Sequence, residues 1–181
     1  MKEGKLLIAT PVVLGDPNFH RAVVLIADHK PSGSLGFILN KRLEYTLNEV
    51  MEGIDSKFPL YFGGPVDPDS LFYIHTYGKD IPKSIPITNN VFWNGDFDFI
   101  SERIRSGELS SDRIRFFLGY SGWGEGQLEE ELIQKSWELI DNNLQSELIK
   151  KPVKSMWQEY MTSLGGKYVL WSNAPENPRF N

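Results

Sequence analysis

The chain contains no cysteine, and this absence excludes several kinds of site at once. Without a thiol there can be no disulfide, no thiolate zinc or iron–sulfur centre and no cysteine nucleophile. Long apolar runs are missing too, since none reaches the roughly 20 residues that a membrane-spanning helix needs. The apolar run after Lys5 is too brief for a secretory signal. Together these features predict a soluble, cytoplasmic protein that does not engage a membrane.

Basic residues are also fewer than acidic ones. The 24 acidic residues outnumber the 19 lysines and arginines, which gives a formal net charge of −5. Sequence-independent binding of nucleic acid depends on neutralising phosphates, so this balance disfavours a nucleic-acid partner. The alternation Arg113, Ile114, Arg115, Phe116 predicts a half-buried strand with its arginines on the polar side, rather than a base-stacking platform.

The chain has ample apolar material for one domain spanning residues 1–181. Hydrophobic residues make up 40% of the sequence and aromatic residues 13%. No internal repeat or low-complexity linker divides it. Strand-like and helix-like patterns are mixed without regular alternation, which predicts the α+β class rather than a doubly wound parallel sheet.

Local patterns predict the individual elements. The predicted strands cover residues 6–9, 22–27, 35–39, 60–62, 71–77, 113–118 and 137–140, with a Pro/Gly turn joining the second and third as a hairpin. The predicted helices cover residues 45–54, 96–105, 126–135 and 152–164. Thr46 and Glu49 fit a capping box for the first helix, with Tyr45 and Val50 placed as a hydrophobic staple. The glycines and prolines of residues 63–69 predict an irregular connection.

The most informative stretch is the glycine-rich segment from Gly119 to Gly126. It follows an apolar run and precedes a helical pattern, which predicts a strand, a tight turn and a helix. Glycine permits positive φ and close backbone approach. Such a turn can hold an anion, present a nucleophile or pack one backbone against another, and the sequence leaves these roles open. The acidic run Glu129 to Glu131 would compete with an anionic ligand.

Ser121 occupies the place where a strand–turn–helix would present a nucleophile. The nucleophile-elbow pattern needs glycine two residues later, where this chain has Trp123, and it needs a histidine further along. The three histidines, His20, His29 and His75, all precede Ser121. Other triad orders exist, so Ser121 stays open as a nucleophile, although a serine that caps or turns the chain fits better. The alternation around His75 favours a hydrogen-bonded, half-buried histidine over a catalytic base.

The remaining cofactor and metal patterns fit poorly. The glycines at 122, 124 and 126 miss the dinucleotide-binding spacing, and no lysine follows them as a phosphate loop requires. The histidines and the nearby carboxylates of Asp16, Asp28, Asp67 and Asp69 show no metal-ligand spacing. We therefore expect no cofactor and no metal site.

Five blocks of sequence occur in an order and spacing found in a known family. They are Gly4–Pro11, Asp16–Val23, Gly33–Lys41, Phe62–Val66 and Gly119–Glu129. The chain resembles, over essentially its whole length, the AlgH/YqgE family of bacterial proteins, which has no assigned reaction. The resemblance implies a compact α+β domain with a branched, mostly antiparallel sheet, a small barrel-like part and surrounding helices. It brings no catalytic residues, and the proposed transcriptional role behind one member's name does not establish DNA binding.

The chain departs from the family pattern in two places. Phe180 stands near the end, in a Pro-x-x-Pro-x-x-Asn stretch, where a smaller residue is expected. Residues 140–150 are more polar than the family pattern leads us to expect. Both departures concern local packing.

Without a convergent acid, base and nucleophile, the sequence favours a non-catalytic binding or regulatory protein. Its partner would be a small ligand or a protein of unknown identity, and its oligomeric state is open. The predicted binding residues are Asn40, Gly63, Gly64, Pro65, His75, Ser121, Gly122, Trp123 and Gln127. The alternative is a hydrolase that uses Ser121, or a carboxylate, together with a histidine. A transcriptional regulator is the third hypothesis, and the lack of a helix-turn-helix pattern argues against it.

Overall fold

The computed structural model describes residues 3–13 and 15–174. The strands over these residues are β1 (Leu6–Ala9), β2 (Val23–Lys30), β3 (Gly33–Ile38), β4 (Arg42–Thr46), β5 (Pro59–Phe62), β6 (Val66–His75), β7 (Ile85–Pro86), β8 (Phe92–Trp93), β9 (Ile114–Gly124) and β10 (Trp137–Ile140). The α-helices are α1 (Leu47–Val50), α2 (Phe97–Arg105), α3 (Gln127–Ile133), α4 (Met156–Leu164) and α5 (Lys167–Ser172). The departure at Phe180 lies outside the described residues. Within them, no helix combines the length and apolar character that crossing a bilayer requires.

The strands form one branched sheet. Its main order is β10-β1-β2-β3-β9-β6-β8-β7, and β5 pairs with β9 while carrying β4 on its other side. Only the β5–β9 pairing is parallel among those of the described residues. The predicted α+β class with a branched, mostly antiparallel sheet is confirmed. Strands β10 and β7 stand at opposite ends of the order, so the pairings of the described chain leave the sheet open rather than closing a barrel.

Strand β9 runs through the segment that the sequence predicts to be a turn, so that prediction is wrong. Residues 114–118 pair with β5 and β6, and Gly119, at φ +68°, then bends the strand. Ser121 to Gly124 pair with β3 on the next part of the sheet. The chain leaves the sheet after Gly124, and Gly126, at φ +72°, directly precedes α3. Glycine weakens a strand signal in sequence, but here it lets one strand change neighbours.

The β2–β3 hairpin forms as predicted. Lys30 pairs with Gly33 across the turn, and a register shift lies between Ile26 and Asp28. The other end of this pair is joined by a backbone hydrogen bond of 2.8 Å from Leu39 to Val23. Several of the polar side chains described below belong to this hairpin or directly follow it.

Three further boundaries differ from the predictions. The helix expected over 45–54 is the single turn α1, because Thr46 still belongs to β4 and Met51 is already extended. Its capping box is present, but Tyr45 and Val50 are each 40% exposed. Residues 66–69, expected to be irregular, already belong to β6.

The fourth predicted helix begins later than its proline suggests. Helix α4 starts at Met156 and ends before Gly165, whose positive φ of 71° fits the predicted helix end. Helix α5, after a second glycine, has no counterpart among the sequence predictions. The Nε1 of Trp157 donates to the carbonyl oxygen of Ala9 at 2.7 Å and so fixes α4 against β1.

Both faces of the central strands are covered. One cluster, which includes Leu6, Ile8 and Phe117, packs beneath α4. The opposite face of β1, with Leu7 and Ala9, packs against a second cluster around the tryptophans of β9 and β10. A third cluster lies between β5, β6, the first half of β9 and α2.

Arg113 and Arg115 do not share a polar face, so that prediction is wrong. Arg113 is exposed, whereas Arg115 is only 5% exposed because the sheet is covered on both sides. The guanidinium of Arg115 donates to the carbonyl oxygens of Leu39 and Ile149, and it lies 4.6 Å from the ring centre of Tyr61. Burial lowers the pKa of Arg115 from its ordinary value.

Candidate functional site

The two glycine-rich segments pack directly against each other. A Cβ on Gly63 would lie 2.2 Å from the carbonyl oxygen of Gly119, and one on Gly64 would lie 2.3 Å from the carbonyl carbon of Tyr120. Gly63 donates its N–H to Leu118 at 2.9 Å. Of the three roles that the sequence left open, the structure thus shows close packing of one backbone on another.

Ser121 lies where these two segments meet, a place that we call the glycine crossing. Its side chain is fully buried, and its Oγ donates to the carbonyl oxygen of Gly63 at 3.0 Å. The same oxygen accepts the N–H of Ile38 at 2.9 Å. A serine nucleophile must reach its substrate, and Ser121 instead connects β9 to the Gly63 segment.

Trp123 and Gln127 are held by one carboxylate. The Nε1 atoms of Trp123 and Trp137 both donate to Oε2 of Glu131, at 2.9 and 2.8 Å. Gln127 donates to the other oxygen of Glu131 at 2.9 Å and accepts the N–H of Gly124 at 3.0 Å. Trp123 is only 6% exposed, so its indole supports the fold at this position instead of presenting a surface.

Asn40 joins the two ends of the β2–β3 hairpin. Its Oδ1 accepts the N–H of Val23 at 2.8 Å, and its Nδ2 donates to the carbonyl oxygen of Arg21 at 2.9 Å. Arg21 has a φ of +53°, which is uncommon for a residue other than glycine. The amide of Asn40 therefore holds a strained turn in place.

His75 is a buried histidine with its ring bonded on both sides. Its Nδ1 accepts the N–H of Tyr77 at 3.3 Å, so the proton is on Nε2, which donates to the carbonyl oxygen of Asn94 at 3.0 Å. The ring stacks on Phe92 at 5.9 Å between centres. Burial lowers the pKa of His75 to about 4, with Arg113 acting in the same direction. The ring is therefore neutral at neutral pH.

The nine predicted binding residues fall into separate groups. Gly63, Gly64 and Ser121 meet at the glycine crossing, and Gly122 and the exposed Pro65 are their neighbours in the chain. Trp123 and Gln127 belong to the Glu131 cluster, and Asn40 belongs to the hairpin end. His75 pairs with Ile114, seven positions before Ser121 on β9, a separation of about 20 Å along an extended strand. The assignment of these nine residues to ligand binding stays a prediction.

A cleft at the far end of the glycine-rich strand contains a set of polar groups that the sequence analysis did not bring together. Its volume is about 220 Å³, and its lining includes His29, Ser34, Gly126 and Glu129. His29 and Ser34 face each other across the hairpin, with Nδ1 and Oγ 2.8 Å apart. The Nε2 of His29 lies 4.0 Å from Oε1 of Glu129. We call this set the His29 cleft.

Part of the His29 cleft could have been found in the sequence. A two-residue turn at Pro31 and Ser32 places His29 directly opposite Ser34, because cross-strand partners lie at equal distances from the turn. Glu129 gave no such signal. It reaches the cleft only because β9 pairs with β3 and carries α3 beside the hairpin turn.

A protein metal site requires several histidine or carboxylate side chains to lie close together. Within residues 3–13 and 15–174, no group of three or more histidine, aspartate or glutamate side chains is arranged to hold a metal ion. The His29 cleft provides one imidazole and one carboxylate, which is too few for a typical protein metal site.

Comparisons with known proteins agree on one family. A family model described as DUF179, AlgH-like, matches residues 6–169. A UPF0301 protein of Cytophaga hutchinsonii is 45% identical over 183 residues, covering 100% of both chains. A UPF0301 protein of Bacteroides thetaiotaomicron is 43% identical over 180 residues, covering 98% of this chain and 90% of the relative.

Solved structures share the fold. The solution structure of the AlgH protein from Pseudomonas aeruginosa is similar with a TM-score of 0.73 and 26% identity, over 95% of this chain and 93% of that one. A crystal structure of a protein from Corynebacterium diphtheriae is similar with a TM-score of 0.76 and 22% identity, over 96% and 93% of the two chains.

Proposed function

The chain belongs to the AlgH-like family, and we propose that it acts there as a non-catalytic binding protein whose His29 cleft receives a cationic group. That group is a primary ammonium or a guanidinium, carried by a small ligand or by a side chain of a partner protein. The proposal keeps the binding role predicted from the sequence. The proposed contact lies at the exposed end of β9 and not at the buried glycine crossing.

One distance carries the proposal. When Ser34 accepts a hydrogen bond from Nδ1 of His29, the Nε2 atom becomes an acceptor that lies 4.0 Å from the carboxylate of Glu129. Because both atoms are acceptors, neither can donate a hydrogen bond to the other. A single nitrogen with two N–H groups can reach both at about 2.9 Å each.

The charges near the cleft favour the same class of ligand. Glu129 is half exposed, and the neighbouring Glu125 and Glu130 are exposed as well. The cleft's lysine, Lys30, is already paired with Asp28 at 2.7 Å. An incoming cation would therefore meet an uncompensated negative potential, which raises its rate of association.

The cleft is supported by a rigid frame. Gly33 packs on the backbone of Trp123, where a Cβ would lie 2.4 Å from the carbonyl oxygen. Glu131, one turn after the start of α3, bonds two indoles. Binding groups held on such a frame lose little conformational entropy when a ligand arrives.

An NMR titration tests the proposal. We expect butylammonium and butylguanidinium chlorides to shift backbone amides of residues 28–34 and 124–130, with uncharged 1-butanol giving no such shift. Glu129→Gln should weaken binding by roughly ten- to hundredfold, because a charge-assisted hydrogen bond contributes roughly 1.5–3 kcal/mol.

Glu130→Gln is the matched control, because it removes the same charge from a neighbouring residue that does not line the cleft. Equal weakening by both variants would reduce the effect to general electrostatics and contradict the proposed site. The absence of any shift up to about 20 mM ligand, a range that covers weak single-site affinities, would contradict the function itself.

A hydrolase is the second candidate function, favoured by the 2.8 Å contact between Ser34 and His29. Two features weaken it: Ser34 is 9% exposed, and Glu129 is beyond hydrogen-bond distance from the ring. Hydrolysis of p-nitrophenyl acetate that is abolished by Ser34→Ala, with the variant still folded, would favour this function over binding alone. Equal rates for both proteins would dismiss Ser34 as a nucleophile.

A regulatory role would act through the same cleft, by way of a protein partner rather than through DNA. The acidic net charge of −5 supports this choice. We expect no binding to random-sequence duplex DNA at low salt, measured by fluorescence anisotropy. Salt-sensitive binding would restore the transcriptional hypothesis. The cytoplasmic location remains part of the proposal, to be checked by cell fractionation.

A further inference from the structure

Beside the edge strand β10, two clefts meet at one ion pair. The Nζ of Lys5 is 3.0 Å from Oδ1 of Asp141, and both residues line both clefts. The first cleft has a volume of about 330 Å³ and the second about 400 Å³. We call these two adjoining clefts the Lys5 groove.

The first cleft is lined by polar side chains and one glycine. Four of them are amides, namely Asn89, Asn90, Asn142 and Gln145. A side-chain amide carries a donor and an acceptor side by side. Adjacent hydroxyl groups of a sugar ring offer the complementary acceptor and donor at nearly the same spacing.

The charges of the groove are largely balanced within it. Lys5 and Asp141 neutralise each other, and Glu3 is the other charged residue of the lining. A strongly charged ligand would therefore gain little here, whereas an uncharged ligand rich in hydrogen-bonding groups would use the amides fully.

Two polar atoms beside the groove are buried without a hydrogen-bond partner among the described residues. They are Oδ1 of Asn142, a residue that lines the first cleft, and the hydroxyl of Tyr160, a residue that lines the second. A buried polar atom of this kind is unfavourable, so turning it toward a ligand would recover a bond. The amide of Asn142 is otherwise tied only through its Nδ2, which donates to the carbonyl oxygen of Gln145 at 3.3 Å. Burial raises the pKa of Tyr160, so its hydroxyl stays protonated as a donor.

The second cleft adds an apolar wall. Leu139, Ile140 and Leu144 line it beside the ring of Tyr160. Sugar rings have polar rims and faces made of C–H groups, and such faces pack on aromatic and aliphatic side chains. We infer that the Lys5 groove binds a neutral saccharide of two or three rings, with its hydroxyl rim on the amides and one ring face against this wall.

Backbone amide shifts in NMR test the inference. Maltose, cellobiose and N,N′-diacetylchitobiose are titrated separately, with uracil and N-acetylglycinamide as neutral, hydrogen-bonding probes that contain no sugar ring. We expect at least one disaccharide to shift residues 88–90, 139–145 and 160–163, leaving residues 28–34 unchanged. Shifts from uracil or N-acetylglycinamide alone, or no shift from any disaccharide up to about 50 mM, would overturn the inference.

Variants locate the site. Tyr160→Phe removes one hydroxyl and nothing else, and it should weaken disaccharide binding about three- to tenfold. Asn90→Ala should weaken it by a similar factor, and it is exposed enough to leave folding intact. Gln158→Ala, an exposed change on α4 outside both clefts, is the control and should bind as the unmodified chain does. Unchanged affinity in both groove variants would overturn the assignment.

Discussion

A Cβ on Gly119 would lie 2.4 Å from the carbonyl oxygen of Gly64. This approach is closer than any side chain allows, and it fixes where β9 bends from one set of neighbours to the next. The glycines of this segment therefore determine how the branched sheet is assembled. The polar groups proposed to bind a ligand lie at the exposed end of the strand that this crossing anchors.

Replacing Gly119 with alanine should destabilise the protein strongly. The new Cβ would collide with backbone, and φ of +68° would be strained as well. We expect a loss of roughly 4 kcal/mol, measured by urea unfolding, which is in the range of severe core substitutions. Gly107→Ala is the control, because Gly107 has φ of +74° and open space around it. It should lose only about 1 kcal/mol from the strained backbone. Similar losses in the two variants would show that contact with Gly64 is unimportant.

Removing the carboxylate of Glu131 should loosen both tryptophans that it holds. Glu131→Ala leaves the indole N–H groups of Trp123 and Trp137 without their acceptor. Because each unsatisfied donor costs about 1–3 kcal/mol, we expect a loss of roughly 3 kcal/mol and a changed near-ultraviolet circular dichroism spectrum. Glu130→Ala alters the neighbouring residue, which is exposed, and it should change neither the stability nor the circular dichroism spectrum. An unaltered tryptophan signal in Glu131→Ala would contradict the role given to this carboxylate.

Stability should fall as the pH drops below neutrality, because of His75. Burial lowers its pKa to about 4 in the folded chain, whereas an unfolded histidine titrates near 6.5. Between these values the unfolded chain binds a proton that the folded chain does not, so stability is full above about pH 6.5 and is lost on acidification. We expect a loss of about 2 kcal/mol between pH 7.5 and pH 5, from urea unfolding at both values.

The contribution of His75 can be separated from that of other groups. His75→Gln should flatten this dependence, while His29→Gln should leave it intact. If the His75 variant does not fold, the ring proton signals of the unmodified protein give the same test. A His75 ring that becomes protonated near pH 6.5 in the folded protein would contradict the prediction.

Arg115→Lys should be costly although it preserves the charge. The guanidinium joins the hairpin end at Leu39 to the segment around Ile149 and Lys151, and it donates to a carbonyl oxygen in each residue. An ammonium group cannot reach all three positions from one point, and it is more strongly hydrated. We expect a loss of about 2–3 kcal/mol in thermal or urea unfolding. Arg42→Lys, an exposed change on β4, should stay within about 0.5 kcal/mol of the unmodified protein.

Several elements could be predicted from the sequence because their causes are local. The β2–β3 hairpin follows from two β-rich runs around a Pro/Gly turn, and α2 follows from Asp96, which caps it by accepting the N–H of Phe99 at 3.3 Å. The family and the α+β class followed from motif order and from the mixture of element types. In the His29 cleft, only the His29–Ser34 pair was accessible in this way, since a short turn fixes which residues face each other.

Other features depend on contacts between distant parts of the chain. In the sequence, the glycines of β9 resemble those of a turn. In the folded protein, β3, β5 and β6 pair with β9, and this close packing favours an extended strand. The sequence pattern around Arg115 is typical of an exposed strand face. Arg115 is buried because the sheet is covered on its second face as well.

Composition and local pattern alone thus determined the class of fold, the family and the exclusion of thiol chemistry. Only the tertiary structure decided that Ser121 and His75 are buried far apart, and that Glu129 stands beside His29 instead. The physical reason is that burial and proximity are properties of packed surfaces, which depend on strand pairings such as Leu35 with Gly122 that no local segment specifies.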